Sequence, residues 1–461
     1  MTVMQPVDLA LLVGEIGSRT LHIGVLLIFG PSPDGSDSVA ADAYRKALLA
    51  ESAQSALMEM PVLSYSTGGL PVWRSAERID MGRHLQRLAL PHPGDETELF
   101  ALVARLHENR LDRSRPMWEG YLIEGLADGG FALYGKIHHA TLDGMSGIRM
   151  IEQSLTTDPS RRDMPLLLAP EAAPAPQARR RRNPLSLVGT GLTAVADAAG
   201  LARRTTVGAA DWIGRAITTE STVLPMRAPH TVFDGRIRPE RVFAGRSWPK
   251  KRLRAVQRAT GATGNDVVLA MCAGALRSYL VTRDALPTSS LVGLVPIAQR
   301  RREDAAGGNA FGLALCNLGT DLDDPHERLD RIRRSMIDAK RRVRAAGAGA
   351  SVIAAIPTLA SNVARILPFG DLLPPSYNVV ISDIPGPGAP LFWNGAELLH
   401  MYPLSIVFDG TGLNITICRY ADRVDFGVLA HPESVPDPWC FTDEIEIALG
   451  DLERPSEVHS S

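Results

Sequence analysis

Apolar positions along the chain follow two rhythms, one of strands and one of helices. Leu21 to Phe29 is a short apolar run closed by Gly30, and Val39 to Met58 is a stretch rich in Ala and Leu that suits a helix. Phe131 to Ile137 reads as a strand between Gly129-Gly130 and a histidine pair. After Gly144 the apolar residues Met145, Ile148, Ile151 and Leu155 return every three or four positions, the spacing of a helix packed on one side. The histidines therefore fall where a strand gives way to a helix. Further on, the pattern predicts a helix after Asn265, a strand at Leu291 to Ile297, and a basic helix from Arg328 to Arg344 with Leu329, Ile332, Met336 and Val343 at helical spacing. Leu413 to Tyr420 and Val424 to Leu429, divided by Ala-Asp-Arg, resemble a hairpin.

Between Pro165 and Pro229 the rhythm breaks. PLLLAPEAAPAPQARRRRNP mixes prolines and alanines with Arg179 to Arg182, a composition suited to a connector and poor in core residues. Leu185, Val188, Leu192 and Val195 then share one helical face, followed by Arg203, Arg204 and Trp212. Such a segment suits either a crossover helix packed on a lobe or docking on an anionic membrane or lipid-droplet surface. The simplest architecture is an α/β fold with mixed sheets: an N-terminal lobe over 1–164, a crossover linker over 165–230 and a C-terminal lobe over 231–461.

Composition narrows the choice of function. A chain of 461 residues suits two domains of roughly 200 residues each. The net charge of -2 exerts no general pull on nucleic acid, so anion binding has to come from local basic patches. Cys272, Cys316, Cys418 and Cys440 lack the close paired spacing of a zinc ribbon or disulfide framework, and a reducing cytoplasm fits them best. The first residues have no basic start and are interrupted by Asp8 and Glu15, unlike a signal peptide. No run approaches the roughly 20 apolar residues of a spanning helix, so contact with a membrane is expected at its surface.

The densest chemical signal is KIHHATLDGMSG, where His138 and His139 precede Asp143 and Gly144. If the strand runs through the pair, the two rings point to opposite faces, and only one addresses a given cavity. An imidazole titrating near neutrality takes a proton from an alcohol and returns it to a departing thiolate, the two transfers of thioester alcoholysis. Asp143 has the chemistry to orient the ring or brace the loop, and Gly144 permits close approach of a substrate. A metal centre is not indicated, since neither HExxH spacing nor a Cys/His cluster is present, and a serine nucleophile lacks its GxSxG segment. By spacing alone, the pair admits a structural reading as readily as a catalytic one.

HHATLDG, at His138 to Gly144, matches in full the HHxxxDG motif of the CoA-dependent acyltransferase superfamily. Within it the chain resembles the bacterial wax ester synthase/diacylglycerol acyltransferases. RPMWEGYLIEGL sets Pro116, Met117 and Trp118 where that family has Pro-Leu-Trp, and GNDVVLAMCAGALRSYL supplies its Asn-Asp pair as Asn265 and Asp266. VPIAQRR, with Arg300, is similar to the family's Val-Pro-x-x-x-Arg segment. NVVISDIPGP resembles its Ser-Asn-x-Pro-Gly-Pro stretch, with Ser382 retained and Asp383 in place of the usual Asn.

The resemblance implies two chloramphenicol-acetyltransferase-like lobes with a central tunnel, and an O-acyltransferase that moves a fatty acyl group from acyl-CoA to diacylglycerol or a long-chain alcohol. His139 is then the general base, with His138, Asp143 and Gly144 supporting it. Asn265, or a backbone amide near Gly144, supplies the oxyanion donor. Pro116, Trp118, Asp266, Arg300 and Ser382 are the implied substrate-side residues. No cofactor is required, because CoA enters as a substrate, and the partners expected are acyl-CoA, a lipid alcohol and a lipid surface. Alternatives remain at several positions. Trp118 equally suits a core, Ser382 to Pro387 a rigid turn, and the basic helix a solvated face or a holder of CoA phosphates or anionic lipid. Two other functions share these features: a condensation-type acyltransferase using carrier-bound acyl groups, and a non-catalytic lipid-binding protein.

Overall fold

The computed structural model describes residues 2–4, 6–15, 19–31, 38–49, 62–65, 71–74, 79–142, 144–162, 164–165, 222–298, 311–364 and 373–455. Asp143, Arg300, the arginine run 179–182 and the rest of the crossover to residue 221 lie outside these residues. The strands, in chain order, are β1 (Thr2–Val3), β2 (His22–Phe29), β3 (Val62–Tyr65), β4 (Pro71–Arg74), β5 (Leu85–Ala89), β6 (Trp118–Glu124), β7 (Phe131–His138), β8 (Val242–Pro249), β9 (Val292–Ala298), β10 (Phe311–Asn317), β11 (Val379–Pro385), β12 (Phe392–Trp393), β13 (Ala396–Leu404), β14 (Leu413–Arg419) and β15 (Arg423–Ala430). They form a small sheet β1-β4-β3 and two six-stranded sheets ordered β12-β13-β2-β7-β6-β5 and β10-β9-β11-β14-β15-β8.

In the first large sheet, period-two alternation sends residues to two different cores. Leu26 and Ile28 of β2 and Ala132 and Tyr134 of β7 meet Leu99, Phe100 and Val103 of the helix Glu96–Glu108. That helix begins with a capping box, Asp95 accepting from the Glu98 amide while Glu98 accepts from Asp95. Leu27, Phe29 and Phe131 point the other way, toward Ile148 and Ile151 of the helix Gly144–Ser154. The apolar spacing that predicted this second helix is thus the face it buries.

The second large sheet has its main core under three helices. Gly264–Val281 is apolar almost all round and is buried accordingly. It packs with Leu329, Ile332 and Met336 of Pro325–Ala364 and with Phe441, Ile445 and Leu449 of Pro438–Glu453. The predicted stripe of the basic helix is therefore core. Two expectations need correction there. The helix runs on to Ala364, beyond the Arg344 end set by the stripe, because periodicity marks only the packed portion of a helix. Arg328 belongs to no solvated face: it is buried and donates to the Leu322 and Asp323 carbonyls. The hairpin of β14 and β15 is antiparallel in the expected place.

The boundary at 231 divides the chain but not the packing. β13, from the C-terminal half, completes the N-terminal sheet by pairing antiparallel with β2, Leu404 opposite Gly24 and Met401 opposite Leu27. A bulge between Leu398 and His400 resets the alternation, so that Leu398 and Met401 share one core while Tyr402 and Leu404 face the other. Likewise Val223 and Ala228, at the end of the expected linker, pack with Val292, Leu294 and Tyr377 of the second lobe.

The two large sheets meet where β15 and β8 cross β13. Asp425 of β15, fully buried, accepts the Met401 amide at 2.7 Å. A Cβ added at Gly427 would stand 2.2 Å from the Pro403 carbonyl oxygen, and one at Gly245 would stand 2.6 Å from Phe100 Cε1 and 2.7 Å from Tyr402 Cδ1. Glycine at these positions is what lets the sheets approach. Below β2 and β7 lies a buried polar layer. Lys136 Nζ is 3.0 Å from Glu119 Oε2 and donates to the Leu106 and Asn109 carbonyls, while His22 Nε2 donates to the His107 carbonyl at 2.7 Å. His107 Nδ1 is 2.6 Å from the Tyr134 hydroxyl, and burial, reinforced by Arg241 and Lys136, holds its pKa down to about 3.

Gly427→Ala is expected to destabilise the fold by ~1–3 kcal/mol or more, because the opposing atom is backbone and cannot rotate away; urea denaturation against the parent measures it. Acid should weaken the fold through His107. The unfolded imidazole takes a proton below about pH 6.5 while the folded one stays neutral to about 3, so stability falls as pH drops through that window. The His107 contribution approaches ~1.4 kcal/mol per pH unit. Urea midpoints from pH 7 to 4.5 should fall less steeply in His107→Gln than in the parent; equal slopes would remove His107 from the acid response.

Candidate active site

The alternation of β7 decides how deeply each of the two adjacent histidines is buried. His138 shares the face of Lys136 and Tyr134 and is fully buried, whereas His139 follows the strand in a turn and is half-buried. The turn is pinned from both sides. The His138 amide donates to the Met117 carbonyl and the His139 amide to the Leu21 carbonyl, each at 2.9 Å. The His138 carbonyl accepts from the Thr141 amide at 2.9 Å and the Thr141 hydroxyl at 2.7 Å.

The His138 ring closes the same turn, with Nδ1 accepting from the Ala140 amide at 3.1 Å. Its Nε2 lies 3.8 Å from Glu15 Oε2, the carboxylate that Arg113 pairs with at 2.7 Å. Burial is the main reason its pKa is held down to about 4; Glu15 raises it, while Arg113 and His139 lower it. At neutral pH the ring is therefore uncharged, and since Nδ1 accepts, the proton sits on Nε2. His138 is engaged in holding the loop. Glu15 and Arg113 were not singled out from sequence as site residues, although a glutamate closing an apolar helical run is a signal that such a partner exists.

Pro116 and Trp118 sit directly beside this turn. Both are buried, and Met117 between them carries the carbonyl that accepts from His138. Trp118 lies opposite Ile137 in register, packs with Met81, Leu85 and Met150, and stacks at 4.4 Å between centroids on His84, whose Nδ1 is 2.8 Å from the Trp118 carbonyl oxygen.

The second lobe reaches the motif through β11. A Cβ added at Gly144 would stand 3.4 Å from Ile384 Cδ1. Ser382, expected in a turn, instead lies within β11, which pairs in parallel register with β14 through Pro385, so the ladder keeps this stretch extended. Next to it Asp383 forms a two-pronged pair with Arg419: Nε donates to Oδ1 at 2.8 Å, and Nη2 to Oδ2. The carboxylate keeps Arg419 charged, its pKa raised even though burial opposes the charge. The guanidinium in turn lies against the start of the Gly264–Val281 helix, where a Cβ on Gly264 would stand 2.6 Å from Arg419 Nη1 and from Gln257 Nε2. Arg419 is the charged residue that ends β14.

Asn265 follows at once. Its Nδ2 is buried and has no hydrogen-bond partner among the described residues, which leaves an oriented donor available. Asp266 is committed differently: its Oδ2 accepts from the Thr263 amide at 2.9 Å and hydroxyl at 2.7 Å, making it half of a capping box. The approach of Gly144 to Ile384 joins the two halves here; His139 stands five residues before Gly144, and Asn265 follows Gly264, which lies against Arg419. A half-buried imidazole and an unpaired amide donor are the elements that proton transfer and oxyanion stabilisation require.

Comparison with known proteins shows the family. Residues 4–268 match the wax ester synthase/diacylglycerol acyltransferase catalytic domain, and residues 307–453 match the WS/DGAT C-terminal domain. A putative diacylglycerol O-acyltransferase of Mycobacterium tuberculosis is 39% identical over 98% of this chain and 99% of its own. A probable diacylglycerol O-acyltransferase of the same organism is 37% identical over 98% of this chain and 99% of its own. The wax ester synthase/diacylglycerol acyltransferase of Marinobacter aquaeolei superposes with a TM-score of 0.75 at 34% identity, covering 98% of this chain and 99% of that one. The first condensation domain of the CDA synthetase shares the fold at a TM-score of 0.61 and 16% identity, over 99% and 97% of the two chains. With both halves matched and near-complete coverage by its relatives, the chain belongs to the wax ester synthase/diacylglycerol acyltransferase family.

Proposed function

We propose that this chain transfers a long-chain acyl group from acyl-CoA to diacylglycerol, and to long-chain alcohols, with His139 as general base. Family membership makes it an O-acyltransferase; the names of its mycobacterial relatives favour diacylglycerol as the acceptor. The observation that carries the assignment of the base is the division of labour within the histidine pair. His138 is buried and neutral, with Nδ1 occupied by the Ala140 amide, while His139 is half-buried in the turn that leads to Gly144, the residue that approaches Ile384 of the second lobe.

In this reading His139 removes the hydroxyl proton as the acceptor oxygen attacks the thioester carbonyl. The tetrahedral oxyanion is met by Asn265 Nδ2, a buried donor with no hydrogen-bond partner among the described residues. Collapse breaks the C–S bond, and the His139 imidazolium returns its proton to the CoA thiolate, so ester and free thiol leave with no acyl-enzyme. Because the acceptor is insoluble in water, the protein works at a membrane or droplet surface; among the described residues no helix is long and apolar enough to cross a membrane.

The direct test supplies purified protein with a long-chain acyl-CoA and a panel of acceptors, following thiol release and identifying the lipid formed. Thiol release dependent on diacylglycerol, with triacylglycerol as product, is expected. Turnover with carrier-bound acyl groups alone would instead make it a condensation-type enzyme. His139→Ala should lose about 100- to 10,000-fold in rate while keeping its thermal midpoint. His138→Ala should lower that midpoint as well, since it strips the turn of its internal acceptor and empties a buried site. Asn265→Ala should reduce kcat about 100- to 1,000-fold with little change in KM, the pattern of a donor used in the transition state. A folded His139→Ala protein with parental turnover would end the base assignment.

A further inference from the structure

The second lobe holds a pocket that the mechanism above does not use. It measures about 240 Å³ and is lined by Lys250, Leu253, Arg254, Gln257, Arg419 and Val424. That is below the roughly 300–1,000 Å³ of a pocket for a whole drug-sized ligand, and it suits a compact charged group. Its walls come from the helix Lys250–Thr260, the end of β14 and the start of β15.

The charge in this pocket is not balanced locally. Arg419 is matched by Asp383, and the nearby Asp422 carboxylate is 3.9 Å from Arg423. Lys250 Nζ donates only to backbone, to the Ala421 carbonyl at 2.6 Å and the Arg419 carbonyl at 3.3 Å. Lys250 and Arg254 form no ion pair among the described residues, and no carboxylate lines the pocket. Burial and the neighbouring Arg419 and Arg254 guanidiniums hold Lys250 below the usual ammonium range, as expected where positive charge is in excess. The pocket also adjoins the candidate site, since Gln257 and Arg419 are the two side chains that crowd Gly264, one residue before Asn265. The basic helix suspected from sequence is less available. Arg328 is spent on the Leu322 and Asp323 carbonyls, Arg333 donates to the Thr260 carbonyl at 3.4 Å, and Arg341 faces Asp338 at 3.8 Å.

We infer that the Lys250–Arg254–Gln257–Arg419 pocket binds a phosphate group of the acyl donor's nucleotide, anchoring the CoA thioester from the second lobe. The inference rests on the acyl-CoA reading above and names the residues that recognise its donor. Lys250 and Arg254, the two cations without an ion-pair partner, and the Gln257 amide give a dianionic phosphate several charge-assisted bonds beside the Asp383-paired Arg419, while Leu253 and Val424 form the apolar wall. Removing or reversing one such contact is worth about tenfold in affinity.

The test uses the full chain. Coenzyme A is titrated by calorimetry, and rates are measured with palmitoyl-CoA and with S-palmitoyl-N-acetylcysteamine, a thioester without a nucleotide, at one fixed alcohol acceptor. Arg254→Glu, at an exposed position, and the isosteric Gln257→Glu should each weaken CoA binding about tenfold or more. The kcat/KM preference for palmitoyl-CoA over the truncated thioester should shrink by the same factor, through KM. Arg258→Gln, exposed on the same helix outside the pocket, should leave both quantities unchanged. Inorganic phosphate and phosphatidylglycerol vesicles serve as competing probes. If the two pocket variants lose vesicle binding but keep the parental CoA affinity, the pocket serves a lipid headgroup and the inference fails. If thioesters react but the donor preference is unaltered in both variants, it also fails, while the acyltransferase reading stands. If no thioester reacts and CoA binding still falls in the variants, the proposed reaction is lost and the pocket assignment stands.

Discussion

The fold depends on one donation of strands, from its C-terminal half to the sheet of its N-terminal half. β13 belongs by sequence to the C-terminal half and by hydrogen bonding to the N-terminal sheet, where it pairs with β2 from Gly24 to Phe29. Its outer side is then gripped by the second sheet: Asp425 holds the Met401 amide, and Gly427 brings β15 against Pro403. A buried backbone amide has to find an acceptor, and a carboxylate from the opposite sheet provides it. The N-terminal sheet is incomplete without β12 and β13, whereas the second large sheet is built entirely from strands of the C-terminal half. The junction, and whatever chemistry lies in it, is thereby held by backbone pairing and not by surface contact alone.

That rigidity matters most at the histidine turn. β7 ends at His138, and its alternation has already placed the even-numbered residues in the buried polar layer with Lys136 and Tyr134. His138 inherits that environment. It is neutral because a charged imidazole would be desolvated beside the Arg113 guanidinium, and the ring's remaining acceptor satisfies the turn it precedes. The next residue leaves the strand and is half-buried in the turn. Adjacent residues of identical type thus acquire different environments from a single step along the chain.

The second lobe answers with charge placed on rigid elements. Asp383 occupies the position where the family usually has asparagine, and the extra negative charge is absorbed by Arg419 through two parallel bonds. The guanidinium then lies against Gly264, where any side chain would displace it. Asp383 and the arginine that ends β14 thus form one paired feature, which also borders the helix carrying Asn265.

The elements were legible in the sequence because their cause is local. Strand and helix periodicity located β2, β7, β9, the β14–β15 hairpin and the helices that begin at Gly144 and Gly264, and the HHATLDG heptad with its companion segments identified the family and its two-lobe fold. Long-range pairing left no such trace. Nothing in the run Ala396–Leu404 announces that its partner lies nearly 400 residues earlier, and the boundary at 231 missed it for that reason. The same holds for Glu15 and Arg113 behind His138, for Asp383 with Arg419, and for the assignment of Asp266 to a cap while Asn265 keeps a free donor. Spacing along a chain determines which residues share a face of one element; which charge meets which, and which polar atom remains unmatched, is decided only when elements distant in sequence are packed together.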